Sequence, residues 1–337
     1  MVRIFAVRSV SAAVLALVLG SASMAAGATT YSKLVVFGDS LSDTGNLLTL
    51  TGGALPQPSA YWNGRFSNGP VAVEWLAQGL GIGLENYAYG GATTGLLNGP
   101  IDVPVQTLPI YTGVQAQVGQ FEATLGPTGQ AAAGALYVVW AGANDIRYLG
   151  ATPQVVATAI QNLAGSVAEL YAHGARDFLL PNLPDLGLTP YAASVEALYP
   201  GTAAGLSALS EGFNLGLHSA YASLRTNPFF AGANFIEFNT MGIQRAVAAN
   251  PGAYGFSNVT TPCFSGFVGE PGGAVCANPS GLFYWDSVHP SAQAQQLLGQ
   301  QMLAAVPEPA SMLLMAVGTL ALLGLSAHRR QRGSAQG

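Results

Sequence analysis

The sequence predicts an α/β protein with a central, mainly parallel, five-stranded sheet that is covered by helices on both faces. Short apolar runs of strand length alternate with helix-length segments, and prolines and glycines stand where such helices would begin and end. This alternation is typical of parallel sheets, because each crossover helix packs back onto a face of the sheet.

The predicted elements follow in chain order. The strands are short runs rich in Val, Leu, Tyr and Phe, at residues 33–37, 84–89, 136–140, 178–180 and 235–238. The helices are the longer segments between and after them, at residues 70–78, 114–125, 153–172, 203–224 and 291–304. Pro70 and Pro153 suit the first turn of a helix, and Gly174 suits the cap at the end of one.

Three long stretches are predicted to be loops. Residues 49–69 and 94–113 are rich in Gly, Pro, Thr and Asn, and residues 250–281 contain many glycines. Loops of this length inside a compact domain are usually functional, so we expect them to frame a substrate site.

Residues 1–28 have the organisation of a secretion signal. Arg3 and Arg8 precede an apolar run at residues 10–19, and small residues follow up to Ala28. The run is too short for a membrane span, which needs about 20 residues. We expect cleavage after Ala28 or a few residues earlier, and a domain over residues 29–305.

The other end, residues 306–332, has three parts. A Pro-Glu-Pro element ending at Pro309 precedes an apolar stretch at residues 310–327, long enough to span a bilayer, and a basic cluster at residues 328–332. This order resembles the PEP-CTERM sorting signal, which implies an exosortase-type processing machinery as a partner. An ordinary tail anchor is the alternative. Both predict an exported domain, and whether the mature protein stays in the cell envelope or is released is open.

Charge and cysteine content narrow the possible functions. Six of the 11 basic residues and 15 of the 16 acidic residues lie between the two ends, so the domain is acidic, with a net charge near −9. This argues against nucleic-acid binding, which requires basic patches. Cys263 and Cys276 are the only cysteines. In an exported chain this close pair is expected to form a disulfide, and metal binding is the weaker hypothesis.

The residues for nucleophilic acyl transfer are present. Ser40 follows the first predicted strand, at the edge where open α/β sheets bind ligands, and Asp286 and His289 lie far downstream. A serine hydroxyl needs a base to take its proton, neutral imidazole suits that role, and a carboxylate orients the imidazole.

Four sequence blocks resemble those of GDSL lipases/esterases in the SGNH hydrolase superfamily, and they occur in the family's order at residues 37–46, 86–92, 142–145 and 285–290. The resemblance implies a flavodoxin-like three-layer α/β/α sandwich. It also implies Ser40 as nucleophile, Asp286 and His289 as its partners, and an oxyanion hole formed by Ser40, Gly91 and Asn144. No cofactor or metal is expected.

The sequence therefore predicts an exported serine esterase or lipase that hydrolyses lipid, aryl or acetylated sugar esters through an acyl-enzyme. Two alternatives stay open: an acyltransferase that uses the same site with an alcohol acceptor, and a non-catalytic surface or matrix binding protein. Some of these residues could instead have a purely structural role. Gly91 could be only a turn glycine and Asn144 only a helix cap, and turn or capping roles are expected for Asp39 and Asp43.

Overall fold

Five parallel strands form the central sheet of the computed structural model, which describes residues 31–99, 111–270 and 272–307. Their order is β2-β1-β3-β4-β5, the flavodoxin-like order. Every neighbouring pair is parallel. The strands are β1 (Lys33–Gly38), β2 (Gly83–Asn86), β3 (Leu136–Trp140), β4 (Asp177–Pro181) and β5 (Asn234–Phe238). The predicted fold class is confirmed.

Eight α-helices accompany the sheet in the described part of the chain. They are α1 (Asn46–Leu50), α2 (Ala72–Leu80), α3 (Val114–Thr124), α4 (Pro153–Ala172), α5 (Pro190–Glu196), α6 (Thr202–Thr226), α7 (Thr240–Ala249) and α8 (Ala292–Ala305). Buried residues of α3, α4 and α6 pack on one face of the sheet. Buried residues of α2 and α8 pack on the other, which gives the three layers.

The strand sequences explain why both faces are covered. In β1, Val35 and Phe37 belong to the core on one face, whereas Leu34 and Val36 belong to the core on the other. All four side chains are fully buried. Burying an aliphatic or aromatic side chain of this size contributes about 1.5–3 kcal/mol, so the continuous apolar run of this strand favours a sheet enclosed on both sides.

The structure differs from the predicted elements in four places. The second strand ends at Asn86 rather than at residue 89. Two more backbone hydrogen bonds to β1 follow Asn86, and the chain then turns away from the sheet. The prediction also missed α1, α5 and α7. Helix α7 begins at an Asn239 cap whose side chain accepts the Gly242 N–H, and α5 begins at a Thr189 cap followed by Pro190. Both caps are standard helix-start signals.

The expected disulfide joins Cys263 to Cys276 within a long loop. The Cys263 and Phe264 amides donate to the carbonyls of Tyr284 and Trp285. The disulfide-bonded loop is thus bonded directly to the segment that leads into Asp286.

The two predicted targeting segments, residues 1–28 and 306–332, lie outside the described residues apart from Val306 and Pro307. Within the described ranges, no helix combines the length and apolar character needed to cross a membrane.

Candidate active site

Ser40 lies in a tight turn at the carboxyl end of β1. The preceding Gly38 admits no side chain, since a Cβ there would lie 2.4 Å from the Trp140 carbonyl oxygen of β3. The Asp39 carbonyl accepts the amides of Ser42 and Asp43, and the Asp39 Oδ1 accepts the Leu41 amide at 3.0 Å. These bonds close the turn, and the Ser40 side chain lines the cavity described below.

His289 contacts both of its expected partners. Its Nε2 lies 2.8 Å from the Ser40 Oγ, and its Nδ1 lies 2.7 Å from the Asp286 Oδ2. Ser40 and His289 are 249 residues apart in sequence. With Nδ1 assigned as the donor to the carboxylate, Nε2 is the acceptor that faces the serine hydroxyl. This is the geometry that proton removal from a serine requires.

A short turn builds the Asp286–His289 pair. The Asp286 Oδ1 accepts the amides of Val288 and His289 at 2.9 and 2.8 Å, while the Trp285 amide donates to the His289 carbonyl at 2.8 Å. One carboxylate oxygen therefore holds the turn and the other holds the imidazole. The spacing of two intervening residues allows both.

Tyr61 is a site residue that sequence reasoning missed. Its hydroxyl donates to the Asp286 Oδ2 at 2.5 Å, the same oxygen that faces the imidazole. Tyr61 is buried, and its ring has edge contacts with Phe264 and Trp285. Tyr61 is 225 residues from Asp286 and lies in a loop, so neither periodicity nor a motif pointed to it.

Electrostatics keep Asp286 charged although it is buried. Burial raises its pKa, but the field of His289 and the hydrogen bonds from His289, Tyr61 and Val288 outweigh that effect and lower the pKa below its ordinary value. Burial, together with the neighbouring Asp286 charge, raises the pKa of Tyr61, so this hydroxyl stays a donor. A charged carboxylate is what stabilises a developing imidazolium.

The candidate oxyanion donors line the same cavity. No described residue accepts a hydrogen bond from the backbone amide of Ser40 or Gly91. Gly91 has φ 78°, a backbone conformation that favours glycine, and a Cβ there would force the Asn98 side-chain amide to move. Asn144 uses its amide nitrogen to donate to the Ala92 carbonyl at 3.0 Å.

Two neighbouring aspartates position the loops that carry these donors. The Asp43 carboxylate accepts the Gly90 amide at 2.7 Å and the amides of Gly45 and Asn46. The Asp145 carboxylate accepts both the amide and the hydroxyl of Thr94, at 2.9 and 2.7 Å. The turn and capping roles expected for Asp39 and Asp43 are confirmed. Burial raises the pKa of Asp39 to about 7 and that of Asp43 to about 6.

A cavity of about 720 Å³ opens over the serine. This volume is typical of sites for small molecules. Its apolar wall comes from several loops and helices and includes Leu47, Leu55, Phe66, Leu186, Leu206 and Val268. Two of the three predicted loops thus contribute to it. Among the described residues, no group of three or more His, Cys, Asp or Glu side chains is arranged to hold a metal ion.

Comparison with protein families agrees with this geometry. Residues 34–302 match the model of the GDSL-like lipase/acylhydrolase family, which is well over half of the chain. The chain belongs to this family. The predicted family resemblance is therefore confirmed. Residues 305–330 of this GDSL-family chain match the PEP-CTERM protein-sorting motif, as predicted, and that motif suggests an exported protein.

Similar curated proteins include enzymes of two reaction types. A phosphatidylcholine-sterol acyltransferase of Aeromonas hydrophila is 35% identical over 171 residues, which cover 49% of this chain and 48% of that protein. A thermolabile hemolysin of Vibrio parahaemolyticus is 27% identical over 81% of this chain and 63% of its own length. A GDSL esterase/lipase of Arabidopsis thaliana is 25% identical over 86% of this chain and 90% of its own length. The chain thus spans about half to two thirds of the first two relatives.

Proposed function

We propose that this GDSL-family protein is an exported serine esterase or lipase that hydrolyses carboxylic esters through an acyl-enzyme. One observation carries the proposal: His289 lies within hydrogen-bonding distance of both the Ser40 hydroxyl and the Asp286 carboxylate. The family to which the chain belongs supports the hydrolase class. The sorting motif supports export and processing by an exosortase-type machinery.

The chemistry follows from the contacts. His289 takes the Ser40 proton at Nε2 as the oxygen attacks the ester carbonyl, and Asp286 stabilises the imidazolium that results. The amides of Ser40 and Gly91 and the Asn144 side chain would donate to the carbonyl oxygen as it becomes negative. His289 then protonates the leaving alkoxide, and in the second half-reaction it activates a water that hydrolyses the acyl-enzyme.

The direct test compares hydrolysis of short and long acyl esters by the wild type and by Ser40→Ala. We expect the substitution to lower kcat by about 10⁴-fold or more, because the covalent route is lost. Ser42→Ala is a matched control, since it removes a buried hydroxyl from the same turn and the Ser42 Oγ has no described hydrogen-bond partner. We expect Ser42→Ala to retain turnover. Equal turnover by wild type and Ser40→Ala would refute the proposal.

A second candidate function is acyl transfer to an alcohol acceptor. It is favoured by the 35% identity to an acyltransferase over about half of this chain. Both reactions share the acyl-enzyme and differ in whether water or an alcohol attacks it. Product analysis with and without an added alcohol decides between them: a transferase forms the new ester in preference to free acid, whereas a hydrolase forms free acid in both cases.

A further inference from the structure

An arginine without a described carboxylate partner lines the catalytic cavity. Arg147 lies in a π-helical turn, Asp145–Leu149, immediately after Asn144. Such turns are rare and frequently occur at functional sites. The arginines at positions 65, 225 and 245 each form an ion pair with a carboxylate, but no described carboxylate forms one with Arg147. Arg176 also forms no described ion pair, but it donates hydrogen bonds to the carbonyls of Tyr171 and Ala175. The exposed Arg147 side chain has no described hydrogen-bond acceptor.

Two tyrosines hold the guanidinium at the cavity. The Arg147 Cζ lies 5.3 Å from the Tyr148 ring centroid and 5.4 Å from the Tyr191 ring centroid. Stacking on aromatic rings leaves the N–H groups in the guanidinium plane available to a ligand. The Arg147 side chain is therefore oriented without having its hydrogen bonds satisfied by an anion of the protein.

These contacts place Arg147 next to the catalytic groups. The Tyr191 amide donates to the Ser287 carbonyl at 2.8 Å, directly beside Asp286, and Asn144 is three residues before Arg147. The pKa of Tyr61 reflects this proximity. Burial and the charge of Asp286 raise that pKa, whereas the charge of Arg147 lowers it. Arg147 thus lies close both to Asn144, the candidate oxyanion donor, and to the turn that carries Asp286 and His289.

The remaining cavity wall indicates which part of a substrate the arginine meets. The wall is mainly aliphatic and aromatic, which suits an acyl chain. Glu270 also lines the cavity and, like Arg147, is exposed, but no described ion pair joins the two side chains. An exposed, aromatic-stacked cation that lines such a cavity is suited to an oxyanion on the alcohol part of the ester, because guanidinium pairs well with phosphate and carboxylate.

We propose that Arg147 is a specificity-determining residue that binds an oxyanion, phosphate or carboxylate, on the alcohol part of the substrate, so that esters of anionic alcohols are preferred. This inference rests on the proposed esterase function and names its substrate class. The two oxyanions have the same recognition chemistry, and matched substrates distinguish them.

The test uses three octanoyl esters, of glycerol, of glycerol phosphate and of glyceric acid, with the full chain. We expect wild type to hydrolyse at least one anionic ester with a higher kcat/KM than the glycerol ester. Arg147→Gln should lower kcat/KM for that ester by about 10- to 100-fold while changing that of the glycerol ester by less than about twofold. The ester that shows the larger loss identifies the oxyanion, and Arg147→Lys should retain part of the preference.

Arg176→Gln is the matched control, because Arg176 is also stacked on a tyrosine, 4.2 Å from the Tyr171 centroid, but does not line the cavity. It should leave the substrate preference unchanged. Two results would overturn the inference while the esterase function stands: no preference by wild type among esters that it hydrolyses, or an equal loss on neutral and anionic esters in Arg147→Gln. If wild type hydrolyses none of the three and Ser40→Ala behaves identically on every ester tried, the proposed function fails, and this inference fails with it.

Discussion

The hydrogen bond from Tyr61 to Asp286 offers a quantitative test of how the acid–base pair is held. Tyr61→Phe removes only the hydroxyl that donates to the Asp286 Oδ2 at 2.5 Å and keeps the ring that packs on Phe264 and Trp285. The carboxylate retains three other donors: the His289 ring and the amides of Val288 and His289. The substitution therefore makes the orientation of the Asp286 carboxylate less fixed, while its other hydrogen bonds stay in place.

The magnitude follows from the number of donors. A hydrogen bond to a charged group contributes about 1.5–3 kcal/mol, and the three remaining donors reduce the net loss to about 1–2 kcal/mol. That loss corresponds to about a 5- to 30-fold lower kcat/KM. Because Asp286 acts as the imidazolium forms, the decrease should appear in kcat with KM nearly unchanged.

The assay is steady-state hydrolysis of a soluble ester, with thermal unfolding measured on the same samples. Tyr137→Phe is the control, since Tyr137 is a buried tyrosine whose hydroxyl donates to the Ala132 carbonyl at 2.9 Å, away from the cavity. It should cost similar stability and leave kcat unchanged. A Tyr61→Phe variant with kcat within twofold of wild type, or with a change in KM alone, would refute the reasoning.

The same variant has a pH signature. The pKa of Asp286 is lowered in the folded protein, so the stability that Asp286 contributes is present above its unfolded value of about 4 and is lost as the pH falls through the folded value. Loss of the Tyr61 hydroxyl moves that pKa upward, towards the unfolded value. The stability deficit of Tyr61→Phe should therefore be largest near neutral pH and shrink below about pH 4, as measured by denaturant unfolding. A deficit that does not change with pH would contradict the role of this hydroxyl in keeping Asp286 charged.

Three further predictions concern the rest of the site. Asn144→Ala should lower kcat by about 10²- to 10³-fold with little change in KM, as expected for an oxyanion donor. Steady-state kinetics that show a changed KM and an unchanged kcat would contradict this role. Asp39 has a pKa raised to about 7, so its contribution to stability is complete below about pH 4 and lost as the pH rises through 7. Asp39→Asn should therefore flatten the decrease in unfolding free energy over that range, and an unchanged slope would contradict the assignment. Replacing both Cys263 and Cys276 with serine should lower the unfolding free energy by about 3 kcal/mol, and denaturant titration of wild type with and without reductant should show the same difference.

The sequence predicted the elements whose signal is local. The apolar run of β1 and the turn after it contain both the strand pattern and the Ser40 position, and Asp286 and His289 lie in one short turn. Strand–helix alternation then predicts which sheet edge carries the serine. Helix α7 was not predicted, although its local signals are present in the sequence: Asn239 caps it, and the apolar Met241 and Val247 are buried.

Features that depend on tertiary contacts could not be predicted in this way. Tyr61 reaches Asp286 only because two loops, 225 residues apart, pack against each other. The sequence around Arg147 does not show that this side chain lines the cavity, because one of the rings on which it stacks, that of Tyr191, belongs to a different helix. The strand propensity of residues 87–89 was overridden because the chain leaves the sheet to form the turn around Gly91.

The most direct test of the central claim is to locate the nucleophile by covalent labelling. Purified protein is treated with a fluorophosphonate ester, and the modified residue is identified by mass spectrometry. We expect a single adduct on Ser40, formed at least about 10²-fold more slowly in His289→Ala because the base has been removed. Labelling at another residue, or an equal rate of Ser40 labelling in wild type and His289→Ala, would contradict activation of Ser40 by His289.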